Sequence, residues 1–201
     1  MSLSAPASLP PLIIHRFGNP DAPPVVLVHG LTEAGTAWPD LVSHWGDRWD
    51  VHAPDLRGHG LSPRLSEVEL DDACAVLLRD VVALVDAAAE PVALVGHSLG
   101  GRAALLAGGE PGVHAVVALN PWVYPTDRAD LSGRDVLVVH GTDDRIASPE
   151  RARVVASTIP DATFLPVGGG KHAMLRHGGR FERAAADFVL ASLLGCRPGG
   201  D

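Results

Sequence analysis

The sequence is poor in cysteine. Its 201 residues include only Cys74 and Cys196, and neither belongs to a Cys-x-x-Cys pair. This scarcity argues against a cysteine-based zinc site or a dithiol redox motif. Reduced thiols in a cytosolic protein are the simplest interpretation.

Basic residues are also in the minority. The chain has 16 Lys and Arg against 24 Asp and Glu, which gives a formal net charge of −8. There is no cluster of Lys or Arg to offset that balance. An acidic protein of this kind is not expected to bind nucleic acid or an anionic membrane surface.

Long hydrophobic runs are missing as well. No apolar stretch approaches the length that spans a bilayer, and the opening MSLSAPASLPPL has neither the basic nor the apolar region of a signal peptide. We therefore expect a cytoplasmic protein. Its length suits one domain, predicted at residues 12–194 between flexible tails at 1–11 and 195–201.

What the sequence does contain is an alternation of short apolar runs and helical stretches. The predicted strands are Leu12–His15, Val25–His29, Val51–Ala53, Val92–Val95, Val113–Leu119, Val136–His140 and Thr163–Val167. The predicted helices are Trp38–Trp45, 70–85 (with Cys74 on its apolar face), Leu99–Gly108, Glu150–Ser157 and Arg180–Leu194. This pattern predicts an α/β fold: a mostly parallel, twisted sheet of about seven strands with helices on both faces.

Chemically versatile residues follow several of these strands. Gly96-His97-Ser98-Leu99-Gly100 follows the fourth strand, Gly141-Thr142-Asp143-Asp144 the sixth, and Gly168-Gly169-Gly170-Lys171-His172 the seventh. In parallel sheets the functional groups gather at the carboxyl ends of the strands. A serine, a carboxylate and a histidine are therefore expected at one edge of the sheet, in that chain order.

The segment around Ser98 has the form Gly-x-Ser-x-Gly between a strand and a helix. This arrangement is typical of a sharp turn that exposes a nucleophilic serine. Gly96 and Gly100 let the backbones approach without a Cβ clash, and Ser98 then stands at the amino end of the following helix. As a plain structural alternative, Ser98 would simply cap that helix.

Together these motifs resemble the α/β-hydrolase fold superfamily over nearly the whole chain. The residues that carry the resemblance are His29-Gly30, Asp55-x-Arg57-Gly58-His59-Gly60-x-Ser62, Gly96-His97-Ser98-Leu99-Gly100-Gly101, Gly141-x-x-Asp144 and Gly168-x-Gly170-x-His172. The resemblance implies Ser98 as nucleophile, His172 as general base and Asp144 as the acid that orients the histidine. It also implies main-chain N–H groups of Leu31 and Leu99 as oxyanion donors.

Two of these assignments have competitors in the sequence. Asp143 adjoins Asp144 and offers the same carboxylate. Lys171 is an additional residue relative to the usual Gly-x-Gly-His pattern, and His177 is a second histidine nearby. The family spacing favours Asp144 and His172.

The predicted substrate site is open. Many family members insert a lid after the strand that ends here near Asn120, but the following residues leave room only for a loop. An open site suits a large substrate or one presented on a carrier. The predicted walls of an apolar pocket are Leu31, Trp38, Trp122, Tyr124 and Met174.

These expectations favour a serine hydrolase that cleaves a carboxylic ester or thioester through an acyl-enzyme. Acyl transfer, lactone hydrolysis or carbon–carbon bond hydrolysis would use the same residues, and a non-catalytic binding protein could retain the fold. The glycine-rich segments match neither a dinucleotide nor a P-loop motif, and the ten histidines show no metal-ligand spacing. We expect no cofactor, no metal and a small-molecule or carrier-bound acyl substrate, with the oligomeric state left open.

Overall fold

A computed structural model describes residues 10–66, 72–88, 90–174 and 179–193 of the chain. The strands are β1 (Ile14–Gly18), β2 (Pro24–Val28), β3 (Asp50–Pro54), β4 (Val92–His97), β5 (Val113–Leu119), β6 (Asp135–Gly141) and β7 (Thr163–Val167). The α-helices are α1 (Pro39–Trp45), α2 (Ala73–Asp86), α3 (Leu99–Ala107), α4 (Pro149–Ser157) and α5 (Arg180–Leu193). A short 3-10 turn, Gly46–Arg48, follows α1.

The seven strands form one sheet in the order β1-β3-β2-β4-β5-β6-β7. β1 pairs antiparallel with β3, and every other pairing is parallel. The predicted fold class is therefore confirmed. Since β4 lies in the interior of the sheet, the residue that follows it is surrounded by the ends of neighbouring strands.

Side chains at alternate positions along the strands pack into two separate hydrophobic cores, one on each face of the sheet. On β2, Val26 and Val28 pack with α2, α3 and α4 on one face, while Val25 and Leu27 pack with α1 and α5 on the other. All five residues of β2 are buried. A strand covered by helices on both sides needs apolar residues at every position, which is why the sequence shows continuous runs.

The largest difference from the predicted boundaries is at β1, which starts and ends later than the predicted Leu12–His15. β1 is an edge strand whose residues are exposed or half-buried, so it needs no continuous apolar run. Arg16 on this strand donates to Asp50 of β3 at 2.6 Å. The start of the predicted helix at 70–85, the C-terminal tail and most of the N-terminal tail lie outside the described residues.

The connection from β5 to β6, in which every residue is described, is a loop throughout. No cap domain is inserted there, so the carboxyl end of the sheet is left uncovered by that segment. Within the described ranges, no helix combines the length and apolarity required to cross a bilayer.

Candidate active site

Ser98 occupies a tight turn between β4 and α3. Its backbone has φ 54° and ψ −113°, outside the regions that non-glycine residues favour. A Cβ on Gly96 would lie 2.2 Å from the carbonyl oxygen of Gly100, and a Cβ on Gly100 would lie 2.0 Å from that of Val28. The packing therefore requires glycine at both flanking positions, and it holds Ser98 in a strained conformation.

Three side chains that the sequence places far apart lie in contact at the carboxyl ends of β4, β6 and β7. Nε2 of His172 lies 2.9 Å from Oγ of Ser98, and Nδ1 lies 2.8 Å from Oδ2 of Asp144. An ionised carboxylate only accepts hydrogen bonds, so Nδ1 carries the proton and donates it to Asp144. Nε2 of the neutral ring is then the acceptor for the Ser98 hydroxyl.

Asp144 is held as an anion by several donors. Its Oδ1 accepts the N–H groups of Ile146 at 2.8 Å and Ala147 at 3.0 Å. Burial alone would raise the pKa of Asp144, but hydrogen bonds from His140, His172 and these N–H groups hold the pKa well below its usual range. Asp144 therefore carries a negative charge beside His172 over the whole range of neutral and mildly acidic pH.

The neighbouring Asp143 does not contact His172 in the same way. Asp143 is exposed and accepts a hydrogen bond from the hydroxyl of Thr142 at 3.2 Å. His140 has its Nε2 3.3 Å from Oδ2 of Asp144 and is fully buried. The other competitor, His177, lies outside the described residues.

The loop that carries His172 is anchored by a buried asparagine. Nδ2 of Asn120 donates to the carbonyl oxygens of Lys171 at 3.1 Å and His172 at 3.0 Å, while Oδ1 accepts the N–H of Gly141 at 2.8 Å. Asn120 is completely buried and has a φ of 44°. The ends of β5, β6 and β7 are thus joined through one side chain, whose role sequence reasoning missed.

A second buried contact ties the same loop to the residue before the serine. Nε2 of His97 lies 3.0 Å from the carbonyl oxygen of His172, and Nδ1 lies 3.0 Å from Oε2 of Glu33. Oε2 of Glu33 also accepts the N–H of Gly30 at 2.8 Å. Glu33 and His97 therefore join the His29-Gly30 loop to the His172 loop, a link between distant segments that no sequence motif indicates.

Of the two residues expected to supply oxyanion donors, Leu99 directly follows Ser98, and Leu31 follows Gly30, at which a Cβ would lie 3.2 Å from the Cβ of Ser98. Leu99 is the first residue of α3, where N–H groups have no acceptor within the helix. Leu31 follows Gly30, and its carbonyl oxygen lies within hydrogen-bonding distance of Nε2 of His59. This contact with His59 engages the carbonyl oxygen of Leu31 and not its N–H group.

The predicted pocket residues divide into two groups. Trp38 and Met174 are buried in the hydrophobic core on the α1 and α5 face. Trp122 and Tyr124 lie on the β5–β6 loop with 38% and 43% of their surface exposed. The contribution of all four residues to a substrate pocket stays a prediction.

Arg102 anchors the exposed part of the β5–β6 loop. Its guanidinium donates to both carboxylate oxygens of Asp127 at 2.8 Å and lies 4.8 Å from the centre of the Tyr124 ring. Asp127 in turn accepts the N–H of Tyr124. Trp122 and Tyr124 are thus carried by a braced loop at the edge of the site.

Two cavities have residues of the candidate site in their lining. One has a volume of about 170 Å³ and a mainly apolar lining that includes Leu31 and Leu99. The other has a volume of about 320 Å³ and a mainly polar lining that includes Trp122, Asp144 and Arg145. Among the described residues, no group of three or more His, Cys, Asp or Glu side chains is arranged to hold a metal ion.

Comparison with known proteins addresses the family directly. A family model described as the alpha/beta hydrolase fold matches residues 23–134, more than half of the chain. The chain belongs to the α/β-hydrolase fold family. The resemblance that the sequence motifs indicated is thereby confirmed.

Curated relatives of this α/β hydrolase include enzymes named for ester cleavage. It is 37% identical over 142 residues to "Lipase LipV" of Mycobacterium tuberculosis, covering 69% of this chain and 49% of that protein. It is 36% identical over 125 residues to "Pimeloyl-[acyl-carrier protein] methyl ester esterase" of Xanthomonas campestris, covering 60% of this chain and 47% of that protein. The matches thus span about half the length of these relatives.

The fold also matches solved structures over most of the chain. The esterase RhEst1 from Rhodococcus sp. superposes with a TM-score of 0.74 at 19% identity, covering 89% of this chain and 94% of that one. At this identity the likeness establishes the arrangement of the sheet and helices alone.

Proposed function

We propose that this α/β hydrolase is a serine hydrolase that cleaves a carboxylic ester or thioester through an acyl-enzyme. The observation that carries the proposal is the continuous chain of contacts from Oγ of Ser98 through His172 to Asp144, at 2.9 Å and 2.8 Å. A serine hydroxyl needs an adjacent base to become a nucleophile, and a base needs a partner that fixes its tautomer. Both requirements are satisfied by this arrangement.

In the first half of the proposed reaction, Oγ of Ser98 attacks the carbonyl carbon of the substrate while Nε2 of His172 takes the hydroxyl proton. Asp144 stabilises the imidazolium that forms. The N–H groups of Leu31 and Leu99 donate to the negatively charged carbonyl oxygen. The intermediate collapses as the bond to the alcohol or thiol breaks, and His172 returns its proton to the departing oxygen or sulfur.

The second half repeats these roles with water. Nε2 of His172 accepts a proton from a water molecule as the oxygen of that water attacks the acyl carbon. The bond to Oγ of Ser98 then breaks, and His172 returns the proton to the serine. The products are a carboxylic acid and the free enzyme, and all the groups used are side chains and main-chain N–H groups of this chain.

The relatives and the lack of a cap domain in the β5–β6 connection support this proposal at the level of substrate class. Two curated relatives are named as a lipase and as a methyl ester esterase of a carrier-bound acid. A site without a cap would suit a bulky or carrier-linked substrate. We propose a small-molecule or carrier-bound acyl compound as the substrate.

A fluorophosphonate probe tests the proposal because it reacts with activated serine hydroxyls. Mass spectrometry is expected to find the label on Ser98 of the wild-type protein and none on Ser98→Ala. The same variant is expected to lose p-nitrophenyl acetate hydrolysis by a factor on the order of 10⁵ to 10⁶. Full activity of folded Ser98→Ala would refute the mechanism.

Product analysis then separates hydrolysis from acyl transfer. The enzyme is incubated with an activated ester in the presence of an amine or alcohol acceptor, and the products are identified by mass spectrometry. Free acid as the main product supports hydrolysis. Predominant acylation of the acceptor would retain the serine mechanism and replace the proposed reaction.

A further inference from the structure

We infer that the apolar cavity between the Leu31 loop and the start of α2 binds the acyl chain of the substrate. The inference rests on the proposed function and identifies the part of the substrate that the enzyme recognises. Of the residues that the sequence suggested as walls of an apolar pocket, Leu31 alone lines this cavity.

The apolar cavity borders the position at which the carbonyl group of the substrate is proposed to react. The lining of the cavity contains both Leu31 and Leu99, the two residues whose N–H groups are proposed to hold the carbonyl oxygen. A carbonyl group held by these two residues has one substituent next to the cavity they border. A separate binding site elsewhere on the surface would not share both of these residues.

The residues that line this cavity are mainly apolar. Leu56, Leu65 and Leu77 contribute aliphatic side chains to a cavity of about 170 Å³. The two charged side chains in the lining neutralise each other, because Arg57 donates to both carboxylate oxygens of Asp80 at 2.7 Å and 2.9 Å. Such a lining favours an uncharged hydrocarbon chain over an acyl group that ends in a carboxylate.

The cavity that has Trp122 and Asp144 in its lining differs from the apolar one in its chemistry. That cavity is lined by Arg145, Glu150 and Arg151 together with Asp144, so it presents charged groups to a ligand. A polar alcohol or carrier segment suits this side better than a hydrocarbon does. The acyl chain is therefore assigned to the apolar cavity and the leaving group to the polar one.

The first experiment measures kcat/KM over p-nitrophenyl esters from acetate to decanoate. Each methylene that enters an apolar cavity is expected to raise kcat/KM about fourfold until the cavity is filled. Ala73→Phe places a ring in the lining and is expected to lower the octanoate-to-acetate ratio of kcat/KM by about tenfold or more. Ala75→Phe makes the same change at an exposed position of α2 outside the lining, and the ratio is expected to stay at the wild-type value.

A second experiment uses the native protein and so does not depend on the folding of a variant. Cys74 is exposed and lies in the lining of the cavity. Alkylation with N-ethylmaleimide is expected to lower the octanoate-to-acetate ratio of the wild-type enzyme. Cys74→Ser retains Cys196 and is expected to be insensitive to the same treatment.

The outcomes separate this inference from the proposed function. If Ser98 is labelled by the fluorophosphonate but neither Ala73→Phe nor alkylation changes the ratio, the acyl chain binds elsewhere and only the inference fails. If Trp122→Ala instead changes the octanoate-to-acetate ratio of kcat/KM, the acyl chain would be assigned to the mainly polar cavity that Trp122 lines. Loss of labelling and of all esterase activity in the wild-type protein would overturn the proposed function itself.

Discussion

His97 lies between Glu33 and the loop of His172, with each ring nitrogen 3.0 Å from an oxygen atom. Both oxygens only accept hydrogen bonds, so both contacts are hydrogen bonds when the ring carries two protons. His97, which directly precedes Ser98, thus connects the loop of Leu31 to the loop of His172. Nδ2 of Asn120 donates to the same carbonyl oxygen of His172.

Asn120 gives the first prediction. Asn120→Gly removes the donors to Lys171 and His172 and leaves the buried N–H of Gly141 without its acceptor, so the free energy of unfolding is expected to fall by about 1–3 kcal/mol. Because the loop of His172 is less well fixed, kcat is expected to fall more than KM rises. Urea denaturation and steady-state kinetics measure the two effects.

Glycine is used at position 120 because the φ of 44° would strain an alanine there. Asn19→Ala, in the turn between β1 and β2, is the control and is expected to leave kcat unchanged. A kcat of Asn120→Gly equal to that of the wild type would show that this anchor does not position His172.

The second prediction compares the two adjacent aspartates. Asp144→Asn replaces the acceptor for Nδ1 of His172 with an amide, so the favoured tautomer is lost and kcat is expected to fall by about 10⁴-fold. Asp143→Asn changes an exposed neighbour and is expected to keep kcat within about twofold of the wild-type value. Steady-state assays of both variants at neutral pH decide the assignment.

The pKa of Asp144 adds a condition on the pH profile. Because that pKa lies well below its usual range, Asp144 stays ionised throughout the acid range in which most assays are run. The acid limb of kcat/KM is therefore not expected to include protonation of Asp144. Protonation of Asp144 detected above about pH 4, for example by a carboxylate infrared band, would contradict the description of Asp144 as a charged partner.

The third prediction concerns the stability that Glu33 contributes. Burial raises the pKa of this carboxyl, but the bonds from His97 and the N–H of Gly30 lower it more, to about 2 from an ordinary value of 4.5. A lowered pKa in the folded state means that the ionised group stabilises the fold. This contribution is complete above about pH 4.5 and is lost as the pH falls towards 2.

Glu33→Gln is therefore expected to be less stable than the wild type by about 1–2 kcal/mol at neutral pH, after allowance for partial solvent screening. The difference should shrink as the pH falls through that window. Thermal denaturation at several pH values measures it. Glu90→Gln removes the same charge from an exposed site, and a pH-dependent difference of equal size there would attribute the effect to net charge alone.

The role of a residue could be predicted from the sequence when it depends on neighbouring residues in the chain, and not when it depends on contacts with distant segments. The strands of the sheet interior were predictable because burial on both faces imposes an unbroken apolar run, as at Val92–Val95. The turn at Ser98 was visible because its flanking glycines are adjacent in the sequence. Positions after strands could be assigned to one edge of the sheet for the same topological reason.

Roles that depend on distant backbone atoms left no such pattern. His97 contacts the carbonyl oxygen of His172, 75 positions away, and any residue can present a carbonyl. Asn120 was only the end of a predicted strand until its side chain was seen to join three strand ends. Trp38 was suggested as a pocket wall because it is a large apolar residue, and the sequence does not distinguish such a residue in the core, where Trp38 lies, from one that faces a cavity.

The last prediction tests whether the turn at Ser98 stores strain. Glycine accepts the φ of 54° and ψ of −113° at little steric cost, whereas alanine has the same Cβ as serine and keeps the strain. Both Ser98→Gly and Ser98→Ala lack the nucleophile and are expected to be inactive. Ser98→Gly is nevertheless expected to be more stable than Ser98→Ala by about 1 kcal/mol, which corresponds to a Tm higher by about 2–4 °C. Calorimetry of the two inactive variants isolates the backbone effect, because neither retains the hydroxyl. If Ser98→Gly melts at or below Ser98→Ala, the turn stores no strain that glycine can relieve, and the unusual dihedral angles are accommodated by the surrounding packing.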